Sequence, residues 1–382
     1  MSVRVSKPEF NLREKLSELD KPTGIKGSEL LKSNTIQEAR DVIGAGRKNL
    51  IINGNFDIWQ RGTSFSSFNS MRYTADRWLQ YAAGSSTITA TQQTFTVGQT
   101  EVPGNPKYYY RLDNTPDPNT AWLELFYRIE DVRRFSSVPV TISFWLRANK
   151  PQIGEDEIRL LQNFGSSGSS AVTLRSPIFD IQTYWQKYEF TFDLPSVAGK
   201  TINADSFLQI HLLRATNAVG ADTYYDLAQV QLEYGRVATP FEQRSFGEEL
   251  ELCQRYFQSN FPTGVAPQNG YYNSNTGLAA GFNGVVCFAT NQLRSPHIMF
   301  NPKMRVEPDV TIYAASSDDD DGRWAAYNGS WSSNSANTVD KFGNTGFGVR
   351  YPSGGISATA GNAYLYRGMW TADAELPATY SP

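Results

Sequence analysis

The sequence predicts a mostly β protein, in which a jelly-roll β-sandwich is followed by a second, smaller β domain and preceded by a short helical N-terminal segment. Apolar residues alternate with polar ones in several segments, and clusters of Gly, Ser, Pro and Asn separate those segments. Only 19% of the 382 residues are charged, which is fewer than helical proteins rich in Glu and Lys contain. A chain of this length exceeds the size of one hydrophobic core, so more than one domain is expected.

Residues 1–48 differ from the rest of the chain because they are charged, poor in aromatic residues and helical in their periodicity. Leu12, Leu16 and Leu19 form one narrow apolar stripe on a predicted short helix. Residues 35–38, Thr-Ile-Gln-Glu, have the form of a capping box that opens a second short helix. Neither helix can bury its stripe alone, so the segment either docks on another chain or on copies of itself, or stays a frayed tail.

The predicted jelly-roll domain covers residues 49–245. Residues 50–52 are apolar and predict a first strand, and the Asn-Gly-Asn sequence at residues 53–55 predicts a turn after it. Short strands separated by turns indicate an antiparallel sandwich. Four later segments place their apolar side chains on one strand face with period two: residues 123–129, 141–146, 188–194 and 228–232.

Residues 246–258 are predicted to form a linker helix. Ser245 and Glu248 have the spacing of a capping box, and Leu250, Cys253 and Phe257 follow at helical spacing. The remaining residues, 259–382, are rich in Gly, Asn, Ser and Tyr and predict a distal β domain. Its strand candidates lie near residues 284–289, 310–314 and 363–369.

Composition argues against several classes of protein. The formal net charge is −3 and no Lys/Arg-rich run is interleaved with aromatic residues, so we expect no nucleic-acid partner. No window approaches the roughly 20 apolar residues of a membrane span, and the start lacks a signal-peptide core, so we expect no membrane insertion and no signal peptide. Cys253 and Cys287 form no CxxC pair and are predicted to be buried thiols.

Seven short motifs follow one another along the chain: NLIINGNF at residues 49–56, WQRG at 59–62, YTADRW at 73–78, QLEYG at 231–235, ATPFE at 238–242, LCQRYF at 252–257 and WTADAEL at 370–376. In this order they resemble the jelly-roll modules of bacteriophage tail fibres and related virion proteins. The resemblance covers about residues 49–376, and its specificity lies in the order of the motifs.

The resemblance implies a fibre or spike of the virion tail, made in the host cytoplasm. It implies a homotrimer whose N-terminal segment binds other tail proteins and whose distal domains contact host surface polysaccharide. Leu12, Leu16 and Leu19 are then the attachment candidates. The resemblance also implies a sandwich similar to carbohydrate-binding modules, which either binds sugar or is purely structural, because sandwiches serve many functions.

Aromatic side chains in loops are the candidate glycan-binding residues, since the apolar face of a pyranose stacks on an exposed ring. In the distal domain these are Tyr271, Tyr272, Trp324, Tyr327 and Trp331, and each of them could instead lie in the core or at a trimer interface. Trp145 and Trp185 lie inside or beside predicted strands and are expected in the sandwich core.

Three aspartates are candidate calcium ligands. Asp318 and Asp320 belong to a run of four aspartates followed by Gly322, and hard cations take several carboxylate oxygens. A solvated acidic loop is the alternative, because like charges in sequence repel. Asp226, at the start of a late sandwich strand, matches the place of a structural calcium ligand in similar sugar-binding modules. No other cofactor is expected.

We expect the protein not to be an enzyme. A glycanase needs two carboxylates about 5–10 Å apart, and Glu124, Glu189 and Asp193 lie on polar strand faces, but any β protein of this size offers similar residues. No phosphate-binding Gly loop and no nucleophile elbow is present. The sequence therefore predicts a structural and receptor-binding fibre protein. A capsid-attached head fibre or decoration protein and a polysaccharide depolymerase are the alternatives.

Overall fold

The computed structural model describes residues 48–68, 71–83, 88–114, 122–216, 223–271, 282–287, 290, 292–327, 329–333, 337–351 and 357–377. The chain divides into two compact units, residues 1–49 and residues 50–382, and the second is described below. The predicted N-terminal helices, with Leu12, Leu16 and Leu19, lie outside the described residues.

The first part of the larger unit is a β-sandwich with a short 3₁₀ helix at Val132–Phe135. Its strands are β1 (Ser64–Phe68), β2 (Arg72–Tyr73), β3 (Trp78–Ala83), β4 (Ile88–Thr94), β5 (Tyr108–Asn114), β6 (Trp122–Glu130), β7 (Pro139–Ala148), β8 (Gln152–Asp156), β9 (Arg159–Asn163), β10 (Val172–Arg175), β11 (Phe179–Ile181), β12 (Gln186–Asp193), β13 (Phe207–Thr216) and β14 (Thr223–Tyr234).

Two six-stranded antiparallel sheets form the layers of the sandwich. The first sheet has the order β1-β4-β5-β14-β7-β12, the second has the order β10-β9-β13-β6-β3-β2, and β8 pairs with β11 in a separate ribbon. From β5 onward the chain crosses repeatedly from one sheet to the other, which is the connectivity of a jelly roll. The predicted fold class, a jelly-roll sandwich with a further β domain, is confirmed.

The sandwich core lies between the two sheets and follows the predicted alternation. Leu125 and Tyr127 of β6 share one core with Phe144 and Leu146 of β7 and with Tyr188 of β12. Within each strand these side chains share a face because every second residue points to the same side of the sheet, and that face points toward the other sheet. Each large apolar side chain that is removed from water contributes roughly 1.5–3 kcal/mol to folding.

The chain differs from the prediction at residues 50–52, which form no strand. Leu50 donates one backbone hydrogen bond to the Leu232 carbonyl, at 2.8 Å, and the chain then turns at residues 52–55. Asn53 has a φ of 60°, a conformation that Asn tolerates better than most residues. Its side chain accepts from the backbone N–H of Ile58 at 2.9 Å and donates to the carbonyls of Ile58 and Asp76, so the predicted turn is confirmed.

Strand β14 also departs from the simple alternation, because it contains a β-bulge. Its register against β7 shifts between Ala228 and Gln231, and Gln229 has a φ of 50°. The extra residue leaves Ala228 outside the sandwich core, while Val230 and Leu232 lie inside it. The prediction that residues 228, 230 and 232 share one face is therefore wrong at Ala228.

A single α-helix, α1 (Phe246–Gln254), follows the sandwich in the described part of the chain. Its N-cap is Ser245, whose side chain accepts from the backbone N–H of Glu248, as the capping-box pattern predicts. The helix is shorter than the predicted range 246–258, because Phe257 begins the next strand. The helices of the described ranges are too short or too polar to cross a membrane.

The strands described in the distal part are β15 (Phe257–Ser259), β16 (Phe282–Val286), β17 (Leu293–Arg294), β18 (Ile298–Met299), β19 (Asp309–Tyr313), β20 (Ala325–Tyr327), β21 (Trp331–Ser332), β22 (Thr338–Lys341), β23 (Gly346–Tyr351), β24 (Ala363–Arg367) and β25 (Met369–Asp373). Within the described residues they form three small antiparallel sheets, β15-β25-β19, β16-β24-β20-β21 and β17-β23-β18, with β22 paired to β23. A second apolar core lies among these sheets.

A buried ionic network joins the sandwich to the end of β25. Arg77 and Arg61 are both bound by Glu375, and Arg61 also contacts Asp76 and Asp373, at 3.5 and 3.1 Å. Asp76 additionally accepts from the backbone N–H of Gln60 at 2.6 Å. Motifs that lie about 300 residues apart in the sequence therefore meet in one place.

Further contacts support the same junction. The Tyr73 hydroxyl donates to the Leu376 carbonyl at 2.9 Å, and Arg128 donates to the Pro377 carbonyl. The Arg77 guanidinium lies 3.6 Å from the ring centre of Tyr256, within cation–π distance. Residues 50–382 thus form one compact unit, and the predicted domain boundaries at residues 245 and 258 stay predictions.

Candidate functional site

Two of the five predicted glycan-binding aromatic residues, Tyr327 and Trp331, lie side by side on the distal sheet β16-β24-β20-β21. They are paired across β20 and β21, and their ring centres are 5.2 Å apart. Leu365 of β24 is opposite Tyr327. Tyr327 is 40% exposed and Leu365 is 45% exposed, so this corner of the sheet presents an apolar surface to solvent.

The ring of Trp331 packs against Arg367, which forms a buried ion pair with Asp319. Arg367 lies 4.2 Å from the ring centre of Trp331, and both carboxylate oxygens of Asp319 accept hydrogen bonds from Arg367, at 2.9 and 2.6 Å. The ring is half-buried as a result. Asp319 is therefore buried and structural, whereas the sequence predicted a solvated acidic loop at this position.

The neighbouring calcium candidates point to solvent. Asp318 and Asp320 are exposed, and Asp320 is bound by Arg323 at 2.8 Å. Among the described residues, no group of three or more His, Cys, Asp or Glu side chains is placed to hold a metal ion.

The candidate Trp324 is wrong as a sugar platform because its ring is fully buried. Its indole N–H donates to the Met369 carbonyl at 2.9 Å, and Gly368 leaves the space that the ring occupies, since a Cβ there would lie 2.0 Å from the indole. Tyr271 is partly buried and packs edge-to-face against Phe261 at 5.6 Å. Tyr272 lies outside the described residues.

The predicted positions of Trp145 and Trp185 in the sandwich core are also wrong. Both lie on the outer face of the first sheet, in a small cluster with Phe95, Tyr109 and Ala228, and not in the core between the sheets. Trp185 is largely buried and Trp145 is half-buried. An indole that is partly accessible on a sheet surface can stack against a flat apolar ligand face.

Trp145 lines a pocket of about 410 Å³, called here the Trp145 pocket. This volume lies within the range of about 300–1,000 Å³ typical of ligand sites. The lining combines two aromatic rings with hydroxyl, amide and amine groups and a few small apolar residues: Pro103, Gly104, Ser143, Trp145, Lys187, Gln229, Ala238, Pro240, Phe241 and Gln243.

Two glutamines connect the walls of the Trp145 pocket. Gln229, the bulge residue of β14, donates to the Pro103 carbonyl at 2.7 Å, and Gln243 donates to the Gly104 carbonyl at 2.7 Å. Gly104 has a φ of +79°, and a Cβ there would lie 2.6 Å from Gln243 Nε2. Glycine suits this backbone conformation, and a larger residue would have to displace the Gln243 amide from its position.

The wall formed by residues 238–243 is fixed to β14 by two polar side chains. Glu233 accepts from the backbone N–H and the hydroxyl of Thr239, both at 2.8 Å. Gln231 accepts from the backbone N–H of Glu242 at 2.8 Å and donates to Glu233 at 2.9 Å. Since Gln231 and Glu233 are buried, the wall is held in one position and the pocket is preformed.

Asp226 lies close by on the same outer face and is bound by two arginines. Arg111 donates to both of its carboxylate oxygens at 2.7 and 2.9 Å, and Arg147 donates at 2.9 Å. The hydrogen bond to Asp226 raises the pKa of Arg111. Because both oxygens face guanidinium groups, a calcium ion would meet repulsion there, and the calcium assignment to Asp226 is wrong.

The three carboxylates considered for a glycanase do not come together as a pair. Glu124 lies on β6 of the second sheet, whereas Glu189 and Asp193 lie on β12 of the first. Glu189 and Asp193 are four residues apart on one strand, or roughly 13 Å. Glu189 is bound by Lys187 at 2.6 Å, and Asp193 by Arg236 at 2.5 Å.

The sequence alone indicates that Trp145 lies on the outer face of its strand. In residues 141–146 the apolar residues Ile142, Phe144 and Leu146 share one face, so the intervening Trp145 must point to the other. The two pocket walls had no such signal, because the contacts of Gln229 and Gln243 with residues 103–104 span more than 100 positions.

The chain matches no model of a known protein family. It also matches no curated protein sequence. Among solved structures, it is similar to the enzymatically active domain of tailspike protein 4 of bacteriophage CBA120, with 11% identity and a TM-score of 0.30, over 49% of this chain and 21% of that one.

Two carbohydrate-binding modules are similar over comparable spans. The family 11 module of the cellulase Lic26A-Cel5E of Clostridium thermocellum has 13% identity and a TM-score of 0.27, over 46% of this chain and all of that one. The xylan-binding CBM22-1 domain of Xyn10C from Paenibacillus barcinonensis has 14% identity and a TM-score of 0.27, over 51% of this chain and all of that one. We draw no functional conclusion from likenesses at these TM-scores.

Proposed function

We propose that this chain is a non-enzymatic, glycan-binding fibre protein of a bacteriophage virion and that the Trp145 pocket binds the glycan. The observation that carries the proposal is the half-buried Trp145 ring, which lines a preformed pocket together with Ser143, Lys187, Gln229 and Gln243. A pyranose has apolar faces and a rim of hydroxyls, so a ring platform with hydrogen-bonding groups around it matches its chemistry.

The virion assignment rests on the motif order described above, from residues 49–56 to residues 370–376. In this proposal, residues 1–48 attach the chain to other tail proteins through Leu12, Leu16 and Leu19. Three chains assemble into a homotrimer, whose repeated weak glycan contacts combine into avid adsorption to the host. The Tyr327–Trp331 pair is a second candidate contact with the host surface.

The glycan-binding part is tested by probing an array of bacterial surface polysaccharides with the purified full chain. Trp145→Ala should weaken binding about tenfold or more, since each 1.4 kcal/mol of lost contact is a factor of ten. Phe342→Ala is the matched control, because Phe342 is an exposed aromatic residue of the distal part. Absence of any polysaccharide binding, or full binding by Trp145→Ala, would contradict the proposal.

The same samples separate binding from hydrolysis. Release of new reducing ends from a bound polysaccharide would show that the protein is a depolymerase and would contradict the proposal.

Two further measurements test the assembly and the location of the protein. Light scattering of the purified chain should give the mass of a trimer. Antibody labelling of the particle should place the protein on the tail, whereas a label on the capsid would identify a head fibre or decoration protein.

A further inference from the structure

A second pocket of about 190 Å³ adjoins the Trp145 pocket. It is called here the Asp57 pocket, and it lies between residues 105–107, which precede β5, and residues 241–244, which precede α1. Its lining is predominantly polar: Asn55, Asp57, Asn105, Pro106, Lys107, Phe241, Glu242, Gln243, Arg244 and Glu249.

The two pockets are consecutive parts of one groove. Along one wall, residues 103–104 line the Trp145 pocket and residues 105–107 line the Asp57 pocket. Along the other wall, Phe241 and Gln243 line both. The hydrogen bond from Gln243 to the Gly104 carbonyl crosses between these walls, and Gln243 is exposed. A ligand that crosses from one pocket to the other therefore passes over this bond.

The two halves of the groove differ in chemistry. Both pockets share the Phe241 ring and the Gln243 amide. The Trp145 pocket adds the indole ring, whereas the Asp57 pocket adds further amide groups and most of the charged side chains. Asn55 donates to Asp57 at 3.0 Å, and burial raises the pKa of the Asp57 carboxyl. Groups of this kind bind the hydroxyls of a sugar at its edge and do not stack on its face.

The charges of the Asp57 pocket disfavour an acidic ligand. Arg244 is already paired with Glu242 and Glu249, each at 3.2 Å. Asp57 and Lys107 are the remaining charged side chains of the lining, so the pocket has no surplus of positive charge. A uronate carboxylate placed here would lie near Asp57 and Glu242 and be repelled.

We infer that the groove binds an extended, uncharged polysaccharide chain, with one sugar stacked on Trp145 and a following sugar bound through Asn55, Asp57, Asn105 and Lys107. This inference rests on the proposed glycan-binding function and adds the ligand class and a second subsite to it. Affinity is then expected to rise with ligand length until both pockets are filled.

The test uses the polysaccharide that binds most tightly in the array, cut by mild acid into fragments of one to eight sugars, and titrated calorimetrically into the full chain. The shortest fragments should bind weakly, and affinity should increase at least tenfold over the series. Lys107→Ala and Asn105→Gly should weaken the long fragments several-fold and leave the shortest unchanged, whereas Trp145→Ala should weaken all of them. Glycine is chosen at position 105 because Asn105 has a φ of 50°.

Lys200→Ala is the matched control, since Lys200 is exposed and lies 5.4 Å from the Phe164 ring centre, much as Lys107 lies 4.8 Å from the Tyr108 ring centre. If fragments bind with the same affinity at every length, or if Lys107→Ala and Asn105→Gly behave like this control, the second subsite is absent although glycan binding stands. An acidic polysaccharide as the tightest ligand would overturn the assigned ligand class. If no polysaccharide binds, the proposed function itself fails.

Discussion

Arg77 and Glu375 are 298 residues apart in the sequence, and their side chains form a buried ion pair. Their side chains are only 1% and 3% exposed. The pair ties the beginning of the sandwich to the segment that follows the last distal strand, so its loss should affect the whole larger unit.

Glu375→Gln should lower the free energy of unfolding by about 3–5 kcal/mol, because it leaves Arg77 buried without its counterion. Urea denaturation measures the change. The control is Asp193→Asn, which removes an ion pair with Arg236 whose side chains are more than 60% exposed. Exposed pairs contribute about 0–1 kcal/mol, so equal effects of the two variants would contradict the assigned role of the buried pair.

Asp76 should make stability depend on pH between about pH 4 and pH 6. Burial raises its pKa from 3.8 to about 6, so the folded chain holds this proton more tightly than the unfolded chain does. Its contribution to stability is fully present below the unfolded pKa and is lost as the pH rises through 6. Relative to Asp76→Asn, the wild type should therefore lose on the order of 2 kcal/mol across this window. Parallel pH profiles of the two proteins would refute the assignment.

Trp324 and Tyr327 are three residues apart but should respond differently to substitution. Trp324→Ala empties a fully buried site and should cost about 3–5 kcal/mol. Tyr327→Ala removes a ring that is 40% exposed and should cost less than about 1 kcal/mol. Thermal and urea unfolding of both variants provide the comparison. A large loss of stability for Tyr327→Ala would mean that its ring serves mainly in packing.

Gly104→Ala should damage the Trp145 pocket, because the added Cβ would collide with Gln243 Nε2 and displace its hydrogen bond to the Gly104 carbonyl. Gly98→Ala is the matched control, since Gly98 has nearly the same φ, +80°, but open space around its Cβ position. Both variants carry the backbone strain of alanine at positive φ. Only Gly104→Ala should weaken glycan binding by a larger factor than its loss of stability explains.

Removal of divalent cations should leave the melting temperature unchanged. Asp226 is held by Arg111 and Arg147 and needs no metal ion to balance its charge. Asp226→Ala should instead destabilise the sandwich, because two guanidinium groups would then face each other without their shared anion. Differential scanning fluorimetry with and without EDTA measures whether the melting temperature depends on divalent cations. A marked fall in melting temperature with EDTA would show a cation site that this geometry does not explain.

Much of the fold could be predicted because its signals are local. Period-two alternation in residues 188–194 reports which strand face is buried, and Ser245 with Glu248 marks a helix start. In residues 123–129 the same alternation identifies the face that points into the sandwich core, but Glu124 and Arg128 on the other face are buried as well. The bulge at Gln229 has no such signal. It depends on Val230 donating to the Gly54 carbonyl, a contact between residues that lie far apart in the chain.

The candidate site was harder to predict than the fold, since side-chain burial depends on distant partners. Trp324 is in a loop-like sequence, yet Gly368 provides the space that buries it. Asp319 belongs to an acidic run, yet Arg367, 48 residues later, pairs with it. Trp145 could have been assigned to the outer sheet face from its strand alone, but the walls that turn this face into a pocket come from other parts of the chain.

The contacts of residues 373–377 with Arg61, Tyr73, Arg77 and Arg128 have a consequence for biosynthesis. The ribosome releases these residues long after it has released the four side chains that they bind. In nascent chains stalled before residue 373, Arg61, Arg77 and Arg128 therefore lack their partners in residues 373–377. We expect such chains to be degraded by proteases that do not cleave the full-length chain.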